Sequence, residues 1–473
     1  TGMSRSDAIL ATLVGYKILL IVIGLWASRR TSNQTDFFLG GRRLGPVVAA
    51  ISASASSSSA WTLLGVSGAA YLWGLSAVWL FPATLLGFLI NWYWVAPRLH
   101  AESHARSILT LSEFVAGDRN DPLFGLIMRV ASVMVVFSFV FYIAAQFQAA
   151  GHAFSTSFGL ARETSILIGV AVIVIYTLLG GFWAVSVTDT VQGLMMAATA
   201  VILPLVALVG IGGPDQLLPG LRAVAGDSGM NLTGPFTGAL GVAFVAGTLG
   251  IGLGYPGQPH VVNRFMAIRD QRALKSARRI AISWAVVIYA GMLLTGLCGR
   301  ILYSGIADGE QVFFEVANRM LAPVMSGVMI AAVLSAVMST ADSQLLVAAS
   351  SASYDWNLHR RGNDDDTRRS RWVVLLISAV AVVIAVFVEQ AIFSRVLFAW
   401  HAMGSSFGPV LIARLAGYQP SSRTVLAALC TGFGMTVVLH LFPDTPGDAV
   451  ERLVPFFLAL AIVFYGSLAS RER

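Results

Sequence analysis

The sequence predicts an all-α polytopic membrane protein, and three observations carry that expectation. Charged residues make up only 12% of the 473, about half the share of an ordinary soluble domain, while 56% are hydrophobic and the mean hydropathy is +0.75. Apolar stretches of about 20 residues, enough to cross a hydrocarbon core at about 1.5 Å per residue, recur from end to end. Basic residues gather in alternate loops. A soluble fold has nowhere to hide that much apolar surface.

Taken in order, about thirteen transmembrane helices are expected. The first, over residues 8–30, centres on Ile18; no basic n-region or small-residue cleavage pattern precedes it, so no cleavable signal is expected. Residues 45–212 hold spans centred on Ala60, Leu86, Phe139, Ile173 and Thr199, and residues 236–417 hold spans centred on Thr248, Val287, Leu334, Ala379 and Met403. Residues 420–470 add spans around Cys430 and Ala461. The loops are too short for a second folded domain, which needs at least about 50 residues, so the chain reads as one membrane domain. Gln311 to Leu321 has the amphipathic pattern of a short surface helix.

The formal net charge of +7 raises nucleic acid as a partner, but its distribution argues otherwise. Most basic residues, among them Arg42, Arg98, Arg106, Arg264 and Arg278, fall in one alternating set of loops; the opposite set holds only Arg5, Arg162, Arg222, Arg300, Arg319, Arg395 and Arg452. By the positive-inside rule the N-terminus is outside and the C-terminus inside, and an odd number of spans satisfies it. The basic loops thus report topology and contact with anionic lipid of the bilayer, with no nucleic acid. Cys298 and Cys430 both fall in spans, where neither a disulfide framework nor a metal-ligand spacing is plausible, and are expected to be packing residues.

Two spans are not continuous helices by composition. The second contains Ser52, Ser54 and Ser56 to Ser59, followed by Gly65 and Gly68; the seventh runs from Gly247 through Gly250, Gly252, Gly254, Pro256 and Gly257 to Pro259. Glycine and proline remove helix propensity and backbone donors, and clustered serines offer the backbone competing hydrogen bonds, so both helices should break near the midplane. Small residues also let helices pack closely, which leaves either span ambiguous alone. Interruptions at matching places are what an inverted repeat of five plus five helices shows, with irregular backbone lining a cavity.

Ionisable side chains inside spans are expensive and mark function by default. Four stand out: Lys17, Asp189, Asp342 and His401. Lys17 on a peripheral first helix can snorkel or meet a neighbouring carbonyl, and His401 reads equally as a satisfied core histidine. Asp342 follows Met338-Ser339-Thr340-Ala341, and helical spacing puts Ala336, Ser339, Thr340 and Ser343 on one face with Asp342 a turn from Ser339. Hydroxyls, carbonyls and one or two carboxylates are the donors a small hard cation takes. The hydroxyls could instead bond back to their own helix and the aspartates pair with loop arginines.

Dispersed motifs then make the chain resemble the sodium:solute symporter family, and within it the sodium/proline symporters. They are Phe38-Leu39-Gly40-Gly41-Arg42-Arg43-Leu44-Gly45-Pro46, Ser52-Ala53 with Trp61, Tyr176-Thr177 with Gly180-Gly181-Phe182, Thr188-Asp189-Thr190-Val191-Gln192, Gly252-Leu253-Gly254-Tyr255 with Gly257-Gln258-Pro259-His260, Arg264-Phe265-Met266-Ala267, and Ala336-Val337-Met338-Ser339-Thr340. The resemblance implies a LeuT-type 5+5 inverted repeat in the inner membrane, no enzymatic activity, and symport of a small-molecule solute with sodium ion. It implies a main sodium site at Ala55, Ser58, Ala336, Ser339 and Thr340, and, as in some members, a second at Asp189, Ser339, Asp342 and Ser343. Positions implied to meet solute are Ser57, Trp61, Tyr142, Ile251, Tyr255, Gln258 and Pro259.

Two of these depart from the proline-type pattern, which has an aspartate where Ser57 stands and a tryptophan where Ile251 stands. The expected solute is therefore proline or a related zwitterion, with another amino acid, a carboxylate or a sugar as alternatives. A proton-coupled carrier using Asp189 and Asp342 is the competing mechanism. A solute sensor is disfavoured, because family sensors usually carry a signalling domain beyond the spans and this chain stops at Arg473.

Overall fold

The computed structural model describes residues 4–28, 42–179, 182–352 and 365–471. The Phe38 to Gly41 part of the first motif, Gly180-Gly181, and the basic residues Arg29, Arg30, Arg360 and Arg361 lie outside the described residues. Apart from one isolated bridge between Leu44 and Ile268, the described residues are helices and short connections.

In chain order the main helices are α1 (Arg5–Ser28), α2 (Pro46–Ser57), α3 (Val66–Trp73), α4 (Leu80–Leu89), α5 (Phe124–Phe158), α6 (Arg162–Leu179), α7 (Phe182–Gly210), α8 (Gly238–Leu249), α9 (Pro259–Ala267), α10 (Gln271–Leu302), α11 (Pro323–Ser350), α12 (Asp365–Phe387), α13 (Ile392–Leu415), α14 (Ser422–Leu439) and α15 (Ala449–Arg471). Among the described residues, ten helical stretches are long and apolar enough to cross a membrane. Peripheral helices show it in their faces: α1 buries Leu13, Tyr16 and Leu20 on one stripe and exposes Leu10, Val14 and Ile18 on the other. Helices α11 and α13 are buried nearly all round, which makes them the centre of the bundle.

Both expected interruptions are present. Helix α2 ends at Ser57, Ser58 leaves the helical region at φ −113°, ψ 82°, and the chain resumes in a π-helical turn over Trp61–Gly65 before α3. Helix α8 gives way to a 3-10 stretch over Gly250–Gly257, then to an extended Gln258 at φ −93°, ψ 102°, and α9 restarts with Pro259 in its first turn. Proline fits there because the first-turn N–H has no intrahelical partner. The two broken elements sit at the core: α2 packs on α7, α10 and α11, and the Gly250–Gly257 stretch packs on α13.

That second contact is made by bare backbone. A Cβ on Gly404 of α13 would stand 2.5 Å from the Cα of Gly254, and one on Gly257 would stand 2.7 Å from the Cα of Gly404. Only glycine permits this approach.

The expected surface helix is a 3-10 turn, Gly309–Gln311, continuing into Val312–Met320, with Val312, Phe313, Phe314 and Val316 buried. One expectation is corrected. Cys298 is buried, but Cys430 is exposed, because α14 packs only along a stripe of Val425, Ala428, Leu429, Gly432 and Thr436 and turns the cysteine outward.

Candidate ion and solute site

The break in α2 frees carbonyl groups, and α11 brings hydroxyls to them. The Ser339 hydroxyl donates to the Ala55 carbonyl and to the Ala336 carbonyl, each at 3.2 Å. The Thr340 hydroxyl donates to the Ser56 carbonyl at 3.3 Å. Ser58 joins through its N–H, which donates to the Ala55 carbonyl at 3.3 Å, while its hydroxyl lies 3.4 Å from that of Tyr289. Five residues named from the sequence thus meet across two helices, and all are buried. Neutral oxygens gathered at a helix break are a donor set for a small hard cation.

Asp189 and Ser343 belong to a second, charged layer beside the first. One Asp189 oxygen accepts from Ser52 at 2.9 Å, from Ser56 at 3.2 Å and from the Arg264 guanidinium at 2.8 Å. The same guanidinium donates to the hydroxyls of Ser52 and Ser343, both at 2.7 Å, and to the His260 carbonyl. Ser56 also bridges to Ser343 at 3.1 Å. Asp342 stands apart: its Oδ1 accepts from the Thr177 hydroxyl, and its Oδ2 is buried with no hydrogen-bond partner among the described residues.

Of the positions implied to meet solute, Trp61, Tyr142, Ile251, Tyr255 and Gln258 lie around a buried aromatic group that includes Tyr289 and Trp400. Tyr255 stacks edge-on against Trp400 with ring centres 4.7 Å apart, and its hydroxyl lies 3.1 Å from that of Tyr289. The Tyr142 hydroxyl donates to Ser59 at 3.3 Å, and Trp400 Nε1 donates to the Ile251 carbonyl at 3.2 Å. Gln258 donates to the Gly254 and Trp400 carbonyls at 3.0 and 2.8 Å, tying the extended link to α13, while its Oε1 is buried without a partner among the described residues. Ser57 turns its hydroxyl back to the Ser54 carbonyl at 2.9 Å. Pro259 opens α9 at the edge of the cluster.

Through Phe393, Trp61 links this cluster to a second cavity. Its ring meets those of Tyr289 and Phe393 at 6.4 and 5.6 Å, and Phe393 meets Trp73 at 5.2 Å. Phe393 and Trp73 line a cavity of about 570 Å³ together with Phe236, Phe244, Arg300 and Asp444. Phe393 is held from the connecting turn Gly309–Gln311, where the Glu310 carboxylate accepts from the backbone N–H groups of Ile392 and Phe393 at 2.9 and 2.7 Å. Burial nevertheless pushes the Glu310 carboxyl up to about 7, outweighing those donors.

Several of these residues escaped the sequence reading. Arg264 counted there as a loop arginine, yet it is buried in α9 within the charged layer. Tyr289, Trp400, Gln146 and Glu310 carried no local signal; Gln146 accepts from the Ala60 N–H just after the break at 3.1 Å. Lys17 does not snorkel: its ammonium lies against the Met338 sulfur, within electrostatic reach of Asp342. His401 is buried in α13, its Nε2 without a partner among the described residues.

A bundle with two interrupted helices at its centre, and oxygen donors converging at one interruption, defines a secondary transporter of the broken-helix class. The sodium:solute symporter family model matches residues 37–429, and the chain belongs to that family. It is 35% identical over 457 residues to the high-affinity proline transporter PutP of Bacillus subtilis (strain 168), covering 93% of this chain and 95% of that one. It is 33% identical over 465 residues to the sodium/proline symporter of Salmonella typhimurium (strain LT2), covering 94% and 91%. A Na+-coupled sialic acid symporter, solved in a substrate-bound outward-open state, shares the fold with a TM-score of 0.81 at 16% identity over 98% of both chains. MHP1, a nucleobase-cation-symport-1 family transporter in a closed conformation, matches with a TM-score of 0.56 at 13% identity, covering 93% and 96%.

Proposed function

We propose that the chain imports proline or a closely related zwitterion together with sodium by alternating access. The observation that carries this reading is the meeting of Ser339 and Thr340 hydroxyls with the Ala55 and Ser56 carbonyls at the α2 break. A sodium ion held by Ala55, Ser58, Ala336, Ser339 and Thr340 would bridge α2 to α11 and so stabilise one arrangement of the two halves. Relatives named as proline transporters support the choice of solute.

In this reading thirteen helices span the membrane, the inner one in bacteria, with the N-terminus outside and the C-terminus inside. Residues 45–212 and 236–417 form the two repeats, flanked by 8–30 and 420–470. The second cavity faces outward and leads past Trp73, Phe393 and Trp61 to a solute pocket around Tyr142, Tyr255, Gln258 and Pro259. Ser57 and Ile251 make this pocket neutral and aliphatic at two positions, which suits a small zwitterion whose own charges face backbone groups at the two breaks. A sodium ion falling through about 100 mV releases roughly 2.3 kcal/mol, and a tenfold gradient adds about 1.4. Together they support accumulation of several hundredfold.

The test is uptake of labelled proline into proteoliposomes under an imposed sodium gradient, with competing amino acids added in turn. Uptake that requires sodium and is displaced by unlabelled proline is expected. Uptake driven equally well by a pH gradient in sodium-free buffer overturns the sodium coupling, and no displacement by proline overturns the solute.

A further inference from the structure

The second carboxylate layer contains its own cations. Asp189 faces the Arg264 guanidinium at 2.8 Å, with both side chains buried. For Asp342, a lysine on another helix lies within electrostatic reach. The Tyr16 and Ser335 hydroxyls meet at 2.5 Å and fix the register of α1 against α11. Ser335, Met338 and Asp342 follow one another on a single face of α11 at helical spacing. The neighbouring Lys17 therefore lies over that face, its ammonium against the sulfur of Met338, the residue four positions, about one turn, before Asp342.

A thioether is a weak acceptor and gives no reason to bury an ammonium. Asp342 gives one, because its Oδ2 is buried without a hydrogen-bond partner among the described residues and a carboxylate there requires a compensating positive charge. Asp189, Arg264, Asp342 and Lys17 together sum to zero. A sodium ion added among them would leave one uncompensated positive charge in a site closed to water.

We propose that Lys17 and Arg264 are resident cations that take the place of a second sodium ion, so that this chain couples one sodium to each solute. Lys17 thereby sets stoichiometry without touching either transported species. The inference rests on the sodium-coupled reading above, and it replaces sodium at Asp189, Ser339, Asp342 and Ser343 with the protein's own side chains.

Counting decides it. The purified full chain, equilibrated with ²²Na⁺ in choline buffer at pH 8.5, should bind one ion, and proteoliposomes should move one charge per proline. Two ions bound, or two charges moved, overturns the proposal even if every variant fails to fold. In Lys17→Ala, with Asp342 left uncompensated, a second bound sodium and a doubling of the charge-to-proline ratio are expected. The double variant Lys17→Ala with Asp342→Ala should return to one bound ion. A Lys17→Ala protein that still binds one ion overturns the role of the lysine. A wild type that binds no sodium overturns the coupling reading itself, and this inference with it.

Discussion

Replacing Arg264 by glutamine strips the charged layer of its buried cation while keeping a long polar side chain. In Arg264→Gln the Asp189 carboxylate keeps the Ser52 and Ser56 hydroxyls at 2.9 and 3.2 Å but loses the guanidinium at 2.8 Å, in a place with no solvent exposure. Breaking a buried pair from one side costs about 3–5 kcal/mol, because a charge is left uncompensated. Asp189→Asn alone should cost a similar amount from the other side. The double variant removes both charges at nearly constant volume and should lose only what the missing hydrogen bonds contributed, about 0.5–1.5 kcal/mol each. The assay is reversible unfolding in mixed micelles in choline buffer, so that sodium does not compensate the bare carboxylate. The double variant should therefore be more stable than either single one. Additivity within about 0.5 kcal/mol, the behaviour of independent sites, would refute the pairing.

Two further expectations come from the oxygen cluster and the Gly309–Gln311 turn. Ser339→Ala removes the hydroxyl that meets the Ala55 and Ala336 carbonyls; losing one ligand of a bound ion is on the order of 1.5–3 kcal/mol. Sodium Kd measured with ²²Na⁺ should then rise roughly 10- to 150-fold, and an unchanged Kd would remove the serine from the site. Glu310 holds its proton in the folded chain up to about 7 against an ordinary value of 4.5. The folded state therefore binds more protons between those values, and the stability Glu310 contributes is complete below about pH 4.5 and lost as pH rises through 7. Glu310→Gln should lack that decline, so the difference in Tm between wild type and variant should change across pH 4.5–8; a constant difference contradicts the shift.

What could be read from sequence was whatever local chemistry decides. The serine run and the glycine-proline run each break a helix by their own backbone preferences, so both interruptions were visible without knowing any neighbour. Helical spacing put Ser339 and Thr340 on one face, and the family resemblance, not spacing, implied their role at a sodium site. Partnership across helices was not. Arg264 lies 75 residues from Asp189, and a charge count by loops treats every arginine as a marker of topology, so its place inside the bundle left no trace in that pattern. Lys17 was expected to snorkel or meet a neighbouring carbonyl on the first helix, because the helix that holds Asp342 begins some 300 residues later. Cys430 failed for the opposite reason: an apolar span says that a residue is in the membrane, not which side of the helix faces lipid.

The contact of Gly254 and Gly257 with Gly404 carries a mechanical consequence. Side chains between two helices act as bearings, since rotamer changes let one surface slide over the other. Here two backbones touch with nothing between them, and the Gln258 amide bonds across the same seam to the Trp400 carbonyl. The broken link and α13 are in effect one part. Under the proposed alternating access, rocking that opens the pocket is expected to carry the two together and to take up its slip elsewhere.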